Sequence, residues 1–153
     1  MIFTDEYFMQ QALREAQRAF EADEVPIGAI VVSQNKIISR GHNQTELLHD
    51  CTAHAEMLAL TAAFNQLGSK YLPDATLYVT VEPCLMCTGA LYWSKIGKVV
   101  FGCRDDKNGY TKHFYQENGS VSKAPFHPKT LLVHQVMATE SKDLMQEFFR
   151  KKR

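Results

Sequence analysis

The spacing of apolar and polar residues predicts a helix followed by a β-hairpin at the start of the chain. Apolar residues recur at near-helical spacing from Thr4 to about Ala22, and Thr4 is a suitable N-cap. An almost unbroken apolar run covers residues 27–32, and Ile37 and Ile38 follow after a short polar turn. Two apolar runs separated by a polar turn are typical of paired antiparallel strands.

The rest of the chain continues as alternating helices and strands. Helices are predicted at about 53–67, 83–95 and 141–149, and strands at 76–81, 98–102 and 130–136. Thr52 is the predicted cap of the first of these helices and Gly68 its stop, while Pro83 is predicted to begin the second. The polar segment 105–128 is predicted to be irregular, with room for one helical turn.

This order of elements favours an α/β fold. Strands that alternate with helices tend to pair in parallel, whereas the first two strands should form an antiparallel hairpin. We therefore expect a three-layer α/β/α architecture around a mixed five-stranded sheet. The length of 153 residues, with no internal repeat or linker, indicates a single domain covering residues 1–153.

Composition and charge narrow the classes of partner. Lys+Arg and Asp+Glu number 17 each, so no overall field attracts the protein to nucleic acid, and RNA contact needs a local patch. The basic cluster at 150–153 is the evident candidate. With no signal peptide pattern and no long apolar stretch, we expect a cytoplasmic protein without membrane contact. Four cysteines in that compartment indicate metal or reactive chemistry more than disulfides.

Two half-motifs carry the candidate chemistry. His54 and Glu56 stand near the start of one predicted helix, and Cys84 and Cys87 near the start of the next. A spacing of three positions places both sulfurs on one side of a first helical turn, where the helix dipole favours thiolates. One imidazole and two thiolates give three protein ligands for one Zn²⁺ and leave the fourth tetrahedral position for water, as in catalytic zinc sites.

Glu56 is predicted to move protons and not to bind the metal. On a regular helix two residues apart point roughly 200° apart, which makes Glu56 a poor co-ligand beside His54. A carboxylate beside the open position can accept a proton from water and pass one to a leaving amine. The pattern therefore predicts hydrolytic loss of ammonia from an amidine-like ring carbon.

Two plainer interpretations of the same residues remain open at this point. Cys84 and Cys87 alone could form a redox dithiol, although the accompanying His54 and Glu56 argue against it. A closed structural zinc site could also use Cys51 or Cys103 as a fourth ligand, but it would leave Glu56 without a role.

His-Ala-Glu followed at this distance by Pro-Cys-x-x-Cys resembles the zinc nucleobase deaminases. The similarity to bacterial tRNA-specific adenosine deaminases runs from about residue 5 to the C-terminus. It includes Glu-Val-Pro-Ile-Gly-Ala at 24–29, Gly-His-Asn at 41–43 and Ile-Gly-Lys-Val-Val-Phe-Gly at 96–102.

The resemblance implies a cytidine deaminase-like fold, a substrate, an assembly and further site residues. Members convert the wobble adenosine of tRNA to inosine, carry one zinc ion per subunit, and act as homodimers that hold the anticodon loop. Asn43 would hydrogen-bond the flipped-out base, and Asp105, Phe149 and Arg150 would contact the RNA nearby. Pro26 and Ala55 would also contact the substrate.

Some residues depart from that family pattern. Cys51 replaces a usual proline, Gln44 stands where many relatives carry a basic residue, and residues 110–124 lack the familiar run of small residues. One alternative is therefore a deaminase of a free base or nucleoside, such as guanine or cytosine. A second is a non-catalytic zinc-containing RNA-binding module, against which the intact Glu56 argues.

Overall fold

The computed structural model describes residues 2–114 and 123–152. Within these ranges the α-helices are Asp5–Glu21 (α1), Thr45–Leu48 (α2), Ala55–Leu67 (α3), Leu85–Ser94 (α4) and Ala138–Lys152 (α5). The strands are Gly28–Ser33 (β1), Lys36–His42 (β2), Ala75–Val81 (β3), Lys98–Cys103 (β4) and Leu131–Val133 (β5). A 3₁₀ turn covers Tyr110–Lys112.

The strands form one mixed five-stranded sheet in the order β2-β1-β3-β4-β5. β1 pairs antiparallel with β2, as the predicted hairpin requires, and also antiparallel with β3. The later strands pair in parallel, β3 with β4 and β4 with β5. The predicted mixed sheet is therefore confirmed.

Helices cover both faces of this sheet. Neighbouring strand residues point to opposite faces, so Leu77 and Val99 pack in the core beneath α3 and α4, while Tyr78 and Val100 pack in the core beneath α1. α5 lies over β3 and β4 and contacts α1. The predicted three-layer α/β/α architecture is confirmed. Over the described ranges, none of the helices has the length and apolar character that crossing a bilayer demands.

The predicted ends of the helices are partly wrong. Thr4 caps α1 by accepting a hydrogen bond from Tyr7 N, and Gly68 ends α3 with φ 61°, as predicted. α3, however, begins at Ala55 with His54 as its N-cap, because the Thr52 side chain hydrogen-bonds Asp50 Oδ1 instead. α4 begins at Leu85 with Cys84 as N-cap, so Pro83 does not begin the helix.

The C-terminal part also differs from the prediction. β5 spans three residues instead of 130–136, because Gln135 and Met137 adopt positive φ values of 66° and 53° that break the extended chain. α5 consequently begins at Ala138, before the predicted position 141. The irregular segment contains the expected helical turn as a 3₁₀ turn, and its residues 115–122 lie outside the described part of the chain. α2 was not predicted.

α1 packs against the sheet with no room for a side chain at Gly28. A Cβ on Gly28 would overlap the carbonyl oxygen of Ala12 and the backbone nitrogen of Ala16. The glycine therefore sets how closely α1 approaches β1, and β1 follows directly on the segment that carries Val25 and Ile27 to the functional cleft.

We predict that Gly28→Ala lowers the free energy of unfolding by about 1–3 kcal/mol, because the added methyl group must displace helix backbone. Urea denaturation followed by circular dichroism measures the change. An unaltered midpoint would show that α1 can move away from the sheet without cost.

Candidate metal centre and its cleft

The metal centre forms where the first turns of α3 and α4 meet. His54 is the N-cap of α3, Cys84 is the N-cap of α4, and Cys87 lies in the first turn of α4. Their ligand atoms all lie within 4.8 Å of one another. Among residues 2–114 and 123–152, these three form the only such group of His, Cys, Asp or Glu side chains. The structure thus brings together the three ligands that the sequence predicts.

The distances between the donor atoms match those expected around a tetrahedral zinc ion. His54 Nδ1 lies 3.6 Å from Cys84 Sγ and 3.6 Å from Cys87 Sγ. Tetrahedral zinc, with Zn–N of about 2.1 Å and Zn–S of about 2.3 Å, places its nitrogen and sulfur ligands about 3.6 Å apart. The donor set and its spacing therefore fit Zn²⁺.

A closed site with a fourth cysteine finds no support. Cys51 is exposed and Cys103 is buried, and neither belongs to the ligand group that the described residues form. The group thus offers three protein donors, the number found in catalytic zinc sites.

The pKa values of the two cysteine thiols are shifted in opposite directions. The pKa of the Cys84 thiol is lowered to about 4, chiefly because Cys87 donates a hydrogen bond to it, with a smaller contribution from His54. The same hydrogen bond and burial raise the pKa of Cys87. One thiolate is therefore available at neutral pH, and a metal ion that displaces the second proton completes the pair.

Glu56 lies beside this centre but outside the ligand group. The 200° offset expected on a regular helix does not apply, because His54 precedes α3 in an extended conformation (φ −77°, ψ 155°). Glu56 is buried in the first turn, and burial raises its pKa to about 7. A carboxyl group with a pKa close to neutral can both accept and donate a proton at physiological pH.

The metal centre lies in a cleft of about 1300 Å³. Most of the residues predicted to contact the substrate line this cleft together with the metal ligands and Glu56, namely Asn43, Asp105, Phe149 and Arg150. Val25 and Ile27 line it as well, whereas the buried Pro26 between them does not. Ala55, also predicted to contact substrate, is buried and does not line the cleft.

Ala55 instead fixes the side chain of Asn43. Its backbone N–H donates to Asn43 Oδ1 at 2.8 Å, and Asn43 N donates to Ile27 O at 3.1 Å. The Asn43 side chain is 6% exposed and its oxygen is already occupied. Its amide nitrogen is therefore the group left to donate a hydrogen bond in the cleft.

Sequence reasoning missed the structural role of Glu82. Its buried carboxylate accepts hydrogen bonds from Asp105 N (3.1 Å), from Thr111 N (2.9 Å) and from Thr111 Oγ1 (2.7 Å). Arg104 Nε lies 3.8 Å from Glu82 Oε1. Glu82 thus joins the loop that carries Asp105 to the turn that carries Cys84. The sequence signal for this role was the position of an acidic residue directly after an apolar strand.

Glu24 was a second missed residue. Its carboxylate is 2% exposed and accepts hydrogen bonds from Glu46 N (3.0 Å) and Leu47 N (2.8 Å). It therefore holds α2 beside the cleft next to Asn43. No local pattern indicated this role, because the partners lie more than twenty positions away.

α5 brings the C-terminal basic residues to the cleft. Phe148 packs edge-to-face on Phe20 of α1, with ring centroids 6.0 Å apart. Lys152 Nζ lies 2.6 Å from Asp23 Oδ1, and Arg150 forms an ion pair with Glu147. The C-terminal part of α5 therefore lies against the C-terminal end of α1. Arg153, the last residue of the predicted basic cluster, lies outside the described residues.

Comparison with known proteins gives a consistent result. The zinc-binding region of cytidine and deoxycytidylate deaminases matches residues 3–103. The tRNA-specific adenosine deaminase of Aquifex aeolicus (strain VF5) is 47% identical over 153 residues, covering 97% of this chain and 95% of that protein. The match therefore extends over nearly the full length of both chains.

The fold of this chain as a whole is similar to those of solved structures. One, from studies of A-to-I editing by tRNA:A34 deaminases at the wobble position of transfer RNA, has a TM-score of 0.78 at 37% identity, covering 90% of this chain and 98% of that chain. The guanine deaminase of Nitrosomonas europaea has a TM-score of 0.79 at 22% identity, covering 97% and 86%. At that identity the second likeness concerns the fold alone.

We predict that Cys87→Ala reduces bound zinc far below one ion per chain and makes the free energy of unfolding insensitive to a chelator, since zinc binding is coupled to folding. Cys103→Ala removes an equally buried thiol outside the ligand group, and Cys51→Ala removes the nearby exposed one. Both controls should keep full zinc content, measured by plasma emission spectroscopy. Loss of zinc in Cys51→Ala would instead indicate a closed four-ligand site.

Proposed function

This chain belongs to the family of the tRNA-specific adenosine deaminases, and from that premise we propose that it hydrolyses adenosine to inosine at the wobble position of a tRNA. The observation that carries the proposal is a three-donor zinc site with the buried Glu56 beside it, in a cleft also lined by Asn43. We also propose that residues 1–153 form one zinc-dependent deaminase domain and that the protein acts in the cytoplasm.

In this reaction the metal would activate the water, and Glu56 transfers the protons. His54, Cys84 and Cys87 would hold the zinc ion, which would supply a Lewis acid that lowers the pKa of the attacking water. Glu56 accepts one proton from the attacking water as its oxygen bonds to the ring carbon that carries the amine, and the electron pair of the adjacent ring C=N bond moves onto the ring nitrogen. Glu56 then gives that proton to the amine nitrogen, the ring C=N bond re-forms as the exocyclic carbon–nitrogen bond breaks, and ammonia leaves. The oxygen stays on the ring, and its remaining proton moves to the ring nitrogen to give inosine.

Asn43 orients the base for this attack. With its oxygen held by Ala55 N, the amide of Asn43 presents its N–H groups to a ring nitrogen of the purine. The apolar Val25 and Ile27 line the same cleft and pack on the base. In this proposal Ala55 acts through Asn43, and Pro26 acts by holding Val25 and Ile27 in place.

The size and lining of the cleft favour RNA over a free base. Its volume of about 1300 Å³ exceeds the roughly 300–1,000 Å³ of ordinary small-molecule pockets. Phe149 can stack on an unpaired base, and Arg150 can contact its phosphate. Single-stranded anticodon loops present such splayed bases, which supports tRNA as the substrate.

We predict that the zinc-loaded protein forms inosine in an unmodified anticodon stem-loop and releases no ammonia from guanine or cytosine. Glu56→Ala should keep its zinc and lose turnover by about 10²–10⁴-fold, since it lacks the proton-transfer group. Liquid chromatography with mass spectrometry of digested RNA, with an ammonia assay, gives both readouts.

Glu6→Ala is the matched control, because Glu6 is an exposed carboxylate on α1 away from the cleft, and it should leave turnover unchanged. Ammonia release from guanine or cytosine alone would favour the free-base alternative. RNA binding without any turnover would favour the non-catalytic module. Loss of zinc from Glu56→Ala would mean that Glu56 supports the metal site itself.

We further propose that the protein is a homodimer whose interface includes α4. The helix exposes four large apolar side chains, Leu85 (46%), Met86 (36%), Tyr92 (41%) and Trp93 (74%). Exposed apolar clusters of this kind are typical of protein interfaces. Leu85 and Met86 also line the cleft, so a partner subunit on this face would border the substrate, which supports a second copy as the occupant.

We predict that Trp93→Glu shifts the protein from dimer to monomer, because a carboxylate at the apolar interface would be buried without a partner. Ile2→Glu is the control, since Ile2 is 88% exposed and precedes α1, which covers the face of the sheet opposite α4. Size-exclusion chromatography with light scattering measures the mass. A monomeric parent protein, or a Trp93→Glu variant that stays dimeric, would contradict the proposed interface.

A further inference from the structure

The cations that line the cleft differ in whether they already have a partner. They are Lys107, Lys112, Arg150 and Lys152. Arg150 is paired with a carboxylate on its own helix, and Lys152 with one at the end of α1. Over residues 2–114 and 123–152, no carboxylate lies within ion-pair distance of Lys112 or Lys107. Among the described residues, the positive charge of the cleft that has no ion-pair partner therefore lies on the loop and not on α5.

Lys112 is carried by a turn that is firmly anchored. The Tyr110 side chain is fully buried and packs edge-to-face against Phe101 and Phe126, with centroids 6.4 and 5.0 Å away. Thr111 donates both its backbone N–H and its hydroxyl to the buried carboxylate of Glu82. A long, exposed side chain thus projects from a fixed base.

The same turn is tied to the metal ligands. Gly109 pairs with Cys84 in an isolated antiparallel bridge, and Tyr110 N donates to Pro83 O at 2.9 Å. A Cβ on Gly109 would overlap the Glu82 carboxylate, so no other residue fits this close approach. The position of the turn relative to the zinc site is therefore set by direct contacts.

Asp105 makes no ion pair with Lys112. Asp105 Oδ1 accepts hydrogen bonds from the backbone nitrogens of Lys107 and Asn108, at 3.1 and 3.0 Å, so this carboxylate is engaged by its own loop. Lys112 Nζ makes one long hydrogen bond, 3.4 Å to Lys107 O. Lys112 thus lines the cleft and has no ion-pair partner among the described residues. The chain as a whole has no net charge, so contact with RNA depends on local cations of this kind. Such a cation is suited to bind a phosphate.

We propose that Lys112 binds a backbone phosphodiester of the RNA strand whose base is held beside Glu56, which makes the turn Tyr110–Lys112 an RNA-binding element of this chain. The inference rests on the proposed function, since it takes RNA as the occupant. It concerns a segment in which the chain departs from the small-residue pattern of the tRNA deaminases, so the contact would be a property of this chain.

The test measures RNA binding separately from chemistry. The zinc-loaded dimer is titrated with an anticodon stem-loop that already carries inosine, so that no turnover occurs, across about 50–200 mM salt. Lys112→Ala should raise the Kd about three- to tenfold at the lowest salt and reduce the slope of log K against log salt by about 0.7–0.9. With the adenosine stem-loop, KM should rise while kcat stays the same.

Two variants serve as controls. Lys36→Ala removes an exposed lysine at the first position of β2 and should match the parent in Kd and slope. Lys112→Arg keeps the charge and should retain the parent slope. A fall in kcat for Lys112→Ala with the slope unchanged would indicate a disturbed site and overturn the phosphate contact.

The outcomes separate this inference from the proposed function. If the parent protein deaminates RNA and Lys112→Ala behaves like Lys36→Ala, the inference is wrong and the function stands. If the parent protein neither binds nor deaminates RNA, the proposed function fails and the inference fails with it.

Discussion

The meeting of two helix N-termini governs the rest of this structure. His54 and Cys84 are both N-cap residues in extended conformations, and Cys87 follows one turn into α4. Their donor atoms approach one another because the parallel connection from β3 to β4 and the packing of α3 on the sheet bring both helix starts to the same edge. Three soft or borderline donors at tetrahedral spacing select zinc. The cleft, the buried Glu56 and the anchored loop are all arranged around that point.

Buried polar contacts transmit this arrangement to the substrate side of the cleft. Asn43 is oriented by the backbone of Ala55, one residue after the metal-binding His54. Glu82, two residues before Cys84, fixes the loop that carries Asp105 and the 3₁₀ turn. Asn43, Asp105 and the 3₁₀ turn are thus attached, through one or two hydrogen bonds, to residues within two positions of a metal ligand. Such fully satisfied buried networks hold a site rigid and specify one geometry.

Some of this could be predicted from the sequence because its cause is local. Strand and helix periods follow from which face is buried, and the ligand set follows from the chemistry of His54, Cys84 and Cys87. The start of α3 was misplaced because the Thr52 hydroxyl donates to Asp50 and therefore does not cap the helix. The pairing of Asn43 with Ala55 and of Glu82 with Thr111 joins positions 12 and 29 residues apart, and no local pattern encodes such contacts.

Three protein donors leave a tetrahedral zinc ion one coordination position for the reaction. X-ray absorption at the zinc K-edge distinguishes this arrangement from a closed site with four protein ligands. We expect two sulfur scatterers at about 2.3 Å, one imidazole, and one further light atom at about 2.0–2.1 Å. A third sulfur, a second imidazole, or a protein that binds no zinc would rule out the open three-ligand site.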